Sequence, residues 1–371
     1  MSKNSYLNLK EKDSLNGYEM RTLKSKISPL VRIVWEITTK CNLRCKFCCV
    51  GNCRENDVSD EAALSISKNI AEYAPFEITI TGGEPLLRKN LKEIIKILAK
   101  KDMGVSLNTN GLLFNKAISE ELYEAGVKRV RIGLDGSSSP INDPLRGEGS
   151  FSKIIHAITT AVETGFDVSV SSLVTKMNMA DVELLIELVR SLGANFILFN
   201  DLKIAGNAEE YHEQLSISSQ EDLIELGKLI KRTKEKFKGF VQWSEDPSFW
   251  LNLGDMDQFK ELVSSESQRG VFNVCGVGIT SFSIKSNGEV VPCLFMRDYV
   301  CGNAIHERIS DIWNRSEKFK AIRNLSGTPM KEFTDECRTC DKNTTCVGKC
   351  LAKIYSVYKR LDSIPSCVLE V

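Results

Sequence analysis

The chain has 371 residues, of which 42% are hydrophobic, enough for one large core or two unequal domains. Lys+Arg and Asp+Glu balance at 49 each, which argues against a general nucleic-acid or membrane-surface binder. Met1 to Gly17 is polar and mixed in charge with no apolar core, and no apolar run approaches bilayer length. A soluble cytoplasmic protein, with neither nucleic acid nor membrane as partner, is the expectation.

From Val31 to Leu202 strand and helix signals alternate. Val31–Thr38 reads as a strand, and Ser59 as the cap of a helix running through Ala74. Phe76–Thr81 is a strand, Asn90–Lys101 a helix and Val105–Thr109 a strand. A helix over Asn115–Ala125 ends at Gly126, and a strand follows over Val127–Leu134. Phe151–Thr164 is a helix closed by Gly165, and Val168–Val174 a strand. Ala180–Leu192 is a helix closed by Gly193, and Asn195–Phe199 the last strand. Six strands with five intervening helices imply a parallel sheet with right-handed crossovers. Six fall short of a closed eight-stranded barrel, leaving a partial barrel or an open sheet. The chemistry-bearing residues follow the C-terminal ends of several strands, which favours the barrel-like form.

Residues 207–270 read as a charged, helical bridging segment without chemistry, after an N-terminal extension (1–30) and the strand–helix core (31–206). Residues 271–371 look like a small domain organised around cysteines. The thirteen cysteines fall into two groups, five between Cys41 and Cys53 and eight between Cys275 and Cys367. An odd number in a reducing compartment points to metal ligation rather than disulfides.

Cys41-x3-Cys45-x2-Cys48 directly follows the first strand. Three thiolates in a tight loop can hold three irons of a [4Fe–4S] cluster and leave the fourth for a small molecule, whereas zinc usually asks for a fourth ligand and CxxC pairs. With Phe47 before the last cysteine, this loop resembles the radical S-adenosylmethionine (SAM) superfamily. There the open iron binds the amino and carboxylate groups of SAM, and reductive cleavage yields a 5′-deoxyadenosyl radical that abstracts a substrate hydrogen.

Gly82-Gly83-Glu84-Pro85 follows the second strand and is similar to the family's GGEP motif, which contacts the SAM amino group. The resemblance extends to further SAM contacts: Asn108 and the Thr109-Asn110-Gly111 stretch at the third strand, Asp135 in Leu134-Asp135-Gly136 after the fourth, and Ser171 and Ser172 on the fifth. Arg146 would pair with the SAM carboxylate. In Asn142-Asp143-Pro144-Leu145-Arg146, Asn142 stands where related peptide-modifying enzymes often have His. Turns and a helix cap are the plain alternative for these positions.

Cys275-x12-Gly288-x4-Cys293, then Cys337-x2-Cys340-x5-Cys346-x3-Cys350 and Cys367, resemble the SPASM domain, which binds two auxiliary [4Fe–4S] clusters. A zinc ribbon on Cys337 and Cys340 is the rival. The resemblance implies Cys275, Cys293 and Cys350 for auxiliary cluster I, and Cys337, Cys340, Cys346 and Cys367 for cluster II. Related sequences often carry one more cysteine for cluster I where this chain has Ser281, so either Cys301 completes it or one iron stays open. Cys49 and Cys53 fit neither motif and read as spare thiols near the first loop. His156, His212 and His306 match no motif, and Trp243, Trp250 and Trp313 read as packing residues.

The implied fold is α/β, a partial (β/α)6 TIM-like barrel with a small C-terminal iron–sulfur SPASM domain. The implied activity is hydrogen abstraction from a residue of a ribosomally made peptide, leading to a thioether, ether or carbon–carbon crosslink. The implied partners are a peptide or protein substrate, a separate leader-recognition protein (the thirty residues before the first strand being too few for a fused one), and a reductase, flavodoxin or ferredoxin as electron donor. The alternatives are a SPASM dehydrogenase (formylglycine formation or oxidation of a small metabolite), cofactor biosynthesis such as quinone or tetrapyrrole side-chain chemistry, and a non-enzymatic electron carrier.

Overall fold

The computed structural model describes residues 30–51, 56–100, 103–263, 269–272, 275–348, 350–359 and 361. Strands β1 (Arg32–Glu36), β2 (Glu77–Thr81), β3 (Gly104–Thr109), β4 (Arg129–Gly133), β5 (Asp167–Leu173) and β6 (Phe196–Asn200) pair in chain order, every pair parallel. Between them run α1 (Asp60–Tyr73), α2 (Leu91–Ala99), α3 (Lys116–Ala125), α4 (Ser139–Arg146), α5 (Ser150–Thr164) and α6 (Val182–Ser191). Ser59 caps α1 by accepting from the Ala62 amide, and Asn115 caps α3 by accepting from Ile118. Gly126 and Gly165 end α3 and α5 at φ of +119° and +95°, a left-handed turn that only glycine makes without strain. The stretch from Asn142 to Arg146 is not a turn but the body of α4, with Asn142, Leu145 and Arg146 buried.

The sheet goes two parallel strands further than the six read from the sequence. β7 (Val241–Trp243) adds to β6, and β8 (Ser281–Ile284) adds to β1. β9 (Glu289–Val291) and β10 (Gly302–Asn303) continue antiparallel beyond β8. The sheet therefore begins at β10 and ends at β7, so the partial TIM barrel stays open on one side. β7 and β8 have three and four residues, too few to show a period of two in sequence. Helices α7 (Asn207–Leu215) and α8 (Gln220–Lys236) lead from β6 to β7, followed by α9 (Pro247–Asn252) and α10 (Met256–Leu262). The C-terminal part adds α11 (Ile309–Arg315), α12 (Glu317–Leu325), α13 (Met330–Phe333), α14 (Asp335–Thr339) and α15 (Leu351–Tyr358). No helix among the described residues is long and apolar enough to cross a membrane.

Register separates two faces of the sheet. Ile33, Ile78, Val105, Val130 and Val170 lie under the helices, each at most 1% exposed. Each such burial stabilises the fold by about 1.5–3 kcal/mol relative to exposure. The inner face is polar. Near the strand starts Glu77 pairs with Arg32 at 3.1 Å and Arg129 at 3.3 Å and accepts from Ser106, while Arg131 donates to Ser169. A filled TIM barrel packs branched apolar side chains there. This one instead has an interior suited to polar guests.

Candidate active site

Cys41, Cys45 and Cys48 leave the C-terminal end of β1 in a loop pinned from every side. Asp57 accepts from the Thr39 amide at 2.8 Å and from Thr38 Oγ1 at 2.5 Å, holding the approach to Cys41. Asn110 Nδ2 lies 3.7 Å from Cys41 Sγ and donates to Asn42. Lys46 N donates to Leu145 O at 3.0 Å, and Asn207 Nδ2 donates to Cys45 O at 2.9 Å. The Arg146 guanidinium lies over the Phe47 ring at 5.5 Å.

Burial pushes the Cys45 thiol up to about 12. The Arg146 guanidinium pulls it back, and Cys48, Asp135 and Cys41 push it further up. Burial likewise raises Cys41. Three thiols within reach of one another's charge, Cys41 exposed and Cys45 and Cys48 half-buried, ionise together most readily around a shared cationic centre. The donor set thus fits a [4Fe–4S] cluster. Among the described residues no three Cys, His, Asp or Glu side chains gather closely enough to hold one bare ion, whereas a cluster spreads its thiolates over separate irons.

Gly82 and Gly83 lie directly beneath the residues that enter this loop. Gly83 N donates to Thr38 O and Glu84 N to Lys40 O, both at 2.7 Å. A Cβ on Gly83 would sit 2.3 Å from Lys40 O and one on Gly82 2.6 Å from Thr38 O, so only glycine fits. Gly83→Ala is therefore expected to displace Lys40 and Cys41, with loss of the first site's iron while the C-terminal iron remains, as read by iron analysis and EPR. Pro85 opens a short 3-10 turn, Pro85–Leu87. The fully buried Glu84 carboxylate accepts from Thr109 Oγ1 (2.8 Å), Leu86 N (3.1 Å) and Asn110 N (2.8 Å). Burial raises its pKa against those three bonds. About one of a carboxylate's four acceptor positions is left for a ligand's ammonium.

Asp135, fully buried after β4, is the hub of a second network. It accepts from Leu173 N at 2.7 Å and Ser172 Oγ at 3.3 Å and makes an ion pair with Arg146 Nε at 2.6 Å. Asn142, fully buried, accepts from Asp135 N, and Asn178 donates to Asp135 O. Arg146 is 8% exposed, and the opposing effects of burial and Asp135 leave its pKa raised. Ser172 is thereby turned to Asp135. Ser171 lies half-buried and accepts from Asn200 Nδ2 at 3.0 Å, and Asn108 is half-buried near the end of β3.

The C-terminal cysteines form two groups. The charges of Cys275 and Cys350 act on Cys293, whose thiol burial pushes up to about 12. Cys337 and Cys340, in and just after α14, act likewise on Cys346. Cys367 and Cys53 lie outside the described residues. Cys301 donates to Tyr299 O at 3.6 Å, and burial pushes its thiol up to about 12 against Lys318, Ser316 and Arg323.

Sequence reasoning passed over Glu36 and Arg297. The fully buried Glu36 carboxylate, at the end of β1, takes a two-pronged grip from Arg297 at 2.6 and 2.8 Å. Met296 N donates to Cys293 O at 2.8 Å, so this fork draws the turn after Cys293 against the end of β1. An acidic residue closing a strand whose three middle residues are apolar was the one available signal for Glu36. Nothing local marks Arg297.

Two family models match the chain: the radical SAM superfamily over residues 35–189, and SPASM, an iron–sulfur cluster-binding domain, over residues 275–341. The chain is 26% identical over 358 residues to an Fe-coproporphyrin III synthase of Methanosarcina barkeri, covering 91% of this chain and 87% of that protein. It is 26% identical over 343 residues to the mycofactocin maturase MftC of Mycobacterium ulcerans, again covering 91% and 87%. Its fold superposes on Streptococcus suis SuiB bound to S-adenosylmethionine with a TM-score of 0.70 at 17% identity, over 93% of this chain and 78% of that one.

Proposed function

Because this chain belongs to the SPASM branch of the radical SAM superfamily, we propose that it modifies a residue of a ribosomally made peptide, leaving a thioether, ether or carbon–carbon crosslink. Its cofactors are a SAM-binding [4Fe–4S] cluster, SAM, and auxiliary iron–sulfur clusters in the SPASM part. When bound, these supply the radical that takes a substrate hydrogen and the centres that accept the electron left behind.

The chain's own residues bind, orient and exclude water. Cys41, Cys45 and Cys48 hold the first cluster, and Gly82, Gly83 and Pro85 let the backbone close around it. Glu84 faces the SAM ammonium. Asp135 steers Arg146, whose cation offsets thiolate charge, while Asn108 and Ser171 offer polar contacts from the inner face and Ser172 buttresses Asp135. Cys275, Cys293 and Cys350 hold auxiliary cluster I. Cys337, Cys340, Cys346 and Cys367 hold cluster II. A separate protein recognises the leader, and a flavodoxin, ferredoxin or reductase delivers electrons.

The observation that carries the reaction class is the Cys41, Cys45 and Cys48 loop seated on Gly82, Gly83 and Glu84 at the ends of β1 and β2. The likeness to MftC supports a peptide substrate. A second structural neighbour, at a TM-score of 0.70, is SuiB bound to its precursor peptide SuiA. A second reading, tetrapyrrole side-chain chemistry, is favoured by one feature besides the synthase likeness. Lys203 and Lys353 both pair with Asp201 just past β6, near Cys293 and Cys350, where carboxylate side chains would find cations.

The test is anaerobic, with reconstituted protein, SAM and reductant, following 5′-deoxyadenosine together with the mass of a candidate precursor peptide. Peptide-dependent cleavage with loss of two hydrogens is the expected result. An unchanged peptide, with mass loss from Fe-coproporphyrin instead, would favour the second reading. Cys340→Ala is expected to lower bound iron yet leave uncoupled SAM cleavage. Unchanged iron there would mean that cluster II is misassigned.

A further inference from the structure

Arg131 stands apart from the other charged side chains on the inner face of the sheet. Along β4 the apolar residues Val130 and Ile132 lie under the helices, so Arg129, Arg131 and Gly133 face inward. At the end of the strand the Arg146 guanidinium covers Gly133, where a Cβ would stand 2.4 Å from an Arg146 nitrogen. Two residues of strand span about 7 Å, so Arg131 branches from β4 one such step deeper in the barrel than Gly133.

The neighbouring charges are spent on one another. The Glu77 carboxylate pairs with Arg32 at 3.1 Å and Arg129 at 3.3 Å and takes a third bond from Ser106 Oγ at 3.2 Å. Asp167, level with Arg129 on β5, is exposed and pairs with none of the three arginines. Arg131 itself donates from Nε to Ser169 Oγ at 3.2 Å, and its guanidinium lies 6.0 Å from the centre of the Phe196 ring. No carboxylate among the described residues pairs with it. Burial holds its pKa below the ordinary arginine value, Arg32 and Arg129 push the same way, and Glu77 opposes them. Ser169 and Phe196 thus fix the half-buried group, and four of its five N–H donors remain, at Nη1 and Nη2. Both nitrogens keep accessible surface, so this fork opens onto space rather than onto packed protein.

We propose that Arg131 binds a carboxylate of the substrate in a two-pronged grip on the inner face of the barrel, on the reading above that this chain modifies its substrate there. A planar carboxylate matches the Nη1–Nη2 fork, and Asn108, level with Arg131 on β3, adds an amide from the same face. An acid held there is fixed at one end, while its other end reaches along β4 towards Arg146 and the first cysteine loop. A guest without the acid leaves the cation unmatched, so the site selects against neutral analogues. Two sources carry the group: an acidic side chain of a peptide and the carboxylate arms of a tetrapyrrole.

The test is equilibrium dialysis of the anaerobically reconstituted protein, with SAM and without reductant, against two pairs of probes. One pair is a capped pentapeptide of glycines with a central glutamate and its twin with a central glutamine. The other is coproporphyrin III and its tetramethyl ester. The acid of one pair is expected to bind about tenfold more tightly than its neutral twin, and the pair that shows the preference identifies the source. Arg131→Met is expected to bring that preference to about unity, and Arg131→Lys, which keeps the cation without the fork, to restore part of it. Arg32→Gln removes a charge already spent on Glu77 and is expected to leave the preference within about twofold. A preference that survives in Arg131→Met, or none in either pair, would overturn the proposal. If Arg131→Met loses both probes of a pair, as a misfolded protein would, Arg131→Lys decides: a lowered preference supports the grip and an undiminished one overturns it. Binding is read without turnover, so absence of peptide-dependent SAM cleavage in the assay above would sink the proposed function and still leave Arg131 to be judged by dialysis.

Discussion

Cys45→Ala is expected to reduce SAM cleavage to background while the C-terminal part still assembles its iron. Cys45 is the middle thiol of the first loop. Its carbonyl is held by Asn207 and its Sγ lies 3.8 Å from the Arg146 carbonyl, so the loop fixes where this thiol stands. A three-thiolate site has no ligand to spare. The cysteines of the C-terminal groups interact with one another rather than with Cys45. Iron content and EPR should therefore show a partial loss, and chromatography should find no 5′-deoxyadenosine. Retained cleavage would defeat the assignment of the first cluster.

The second large effect is expected at Asp135. Asp135→Leu leaves Arg146 as a buried cation without its carboxylate, and breaking one side of such a pair costs about 3–5 kcal/mol. It also frees the Leu173 amide and Ser172 hydroxyl that Asp135 now accepts from, and an unmade buried hydrogen bond costs about 1–3 kcal/mol. A fall in the unfolding midpoint of roughly 5–15 °C follows for a domain of this kind. Adding Arg146→Met should return much of that stability, because removing both charges removes the desolvation penalty. The double variant is nevertheless expected to keep less iron at the first site, since the cation that offsets the Cys45 thiolate is gone. Thermal melts and iron analysis on the three proteins separate the two roles. Equal iron in the double variant and the parent would show Arg146 to be a stability residue alone.

The strand–helix core was legible because its signals are local. Ser59 and Asn115 cap, Gly126 and Gly165 terminate, and the apolar positions of β1 to β6 keep a period of two. The cysteine loop and Gly82-Gly83-Glu84-Pro85 were legible for the same reason: spacing within one short segment carries the chemistry. β7 and β8 were not, because three or four residues hold too little periodicity, and pairing partners far away in the chain make them strands.

What the sequence determined by itself is therefore the superfamily resemblance, the two groups of cysteines and the order of the first six strands. Tertiary structure decided which side chains spend themselves on one another. It set Ser172 on Asp135, used most of Glu84 inside the protein and turned Cys301 to the Tyr299 carbonyl. The Glu36–Arg297 contact joins residues 261 positions apart. No local rule reaches that far. A buried carboxylate must find a cation or lose its charge, and only the folded chain determines which cation it meets.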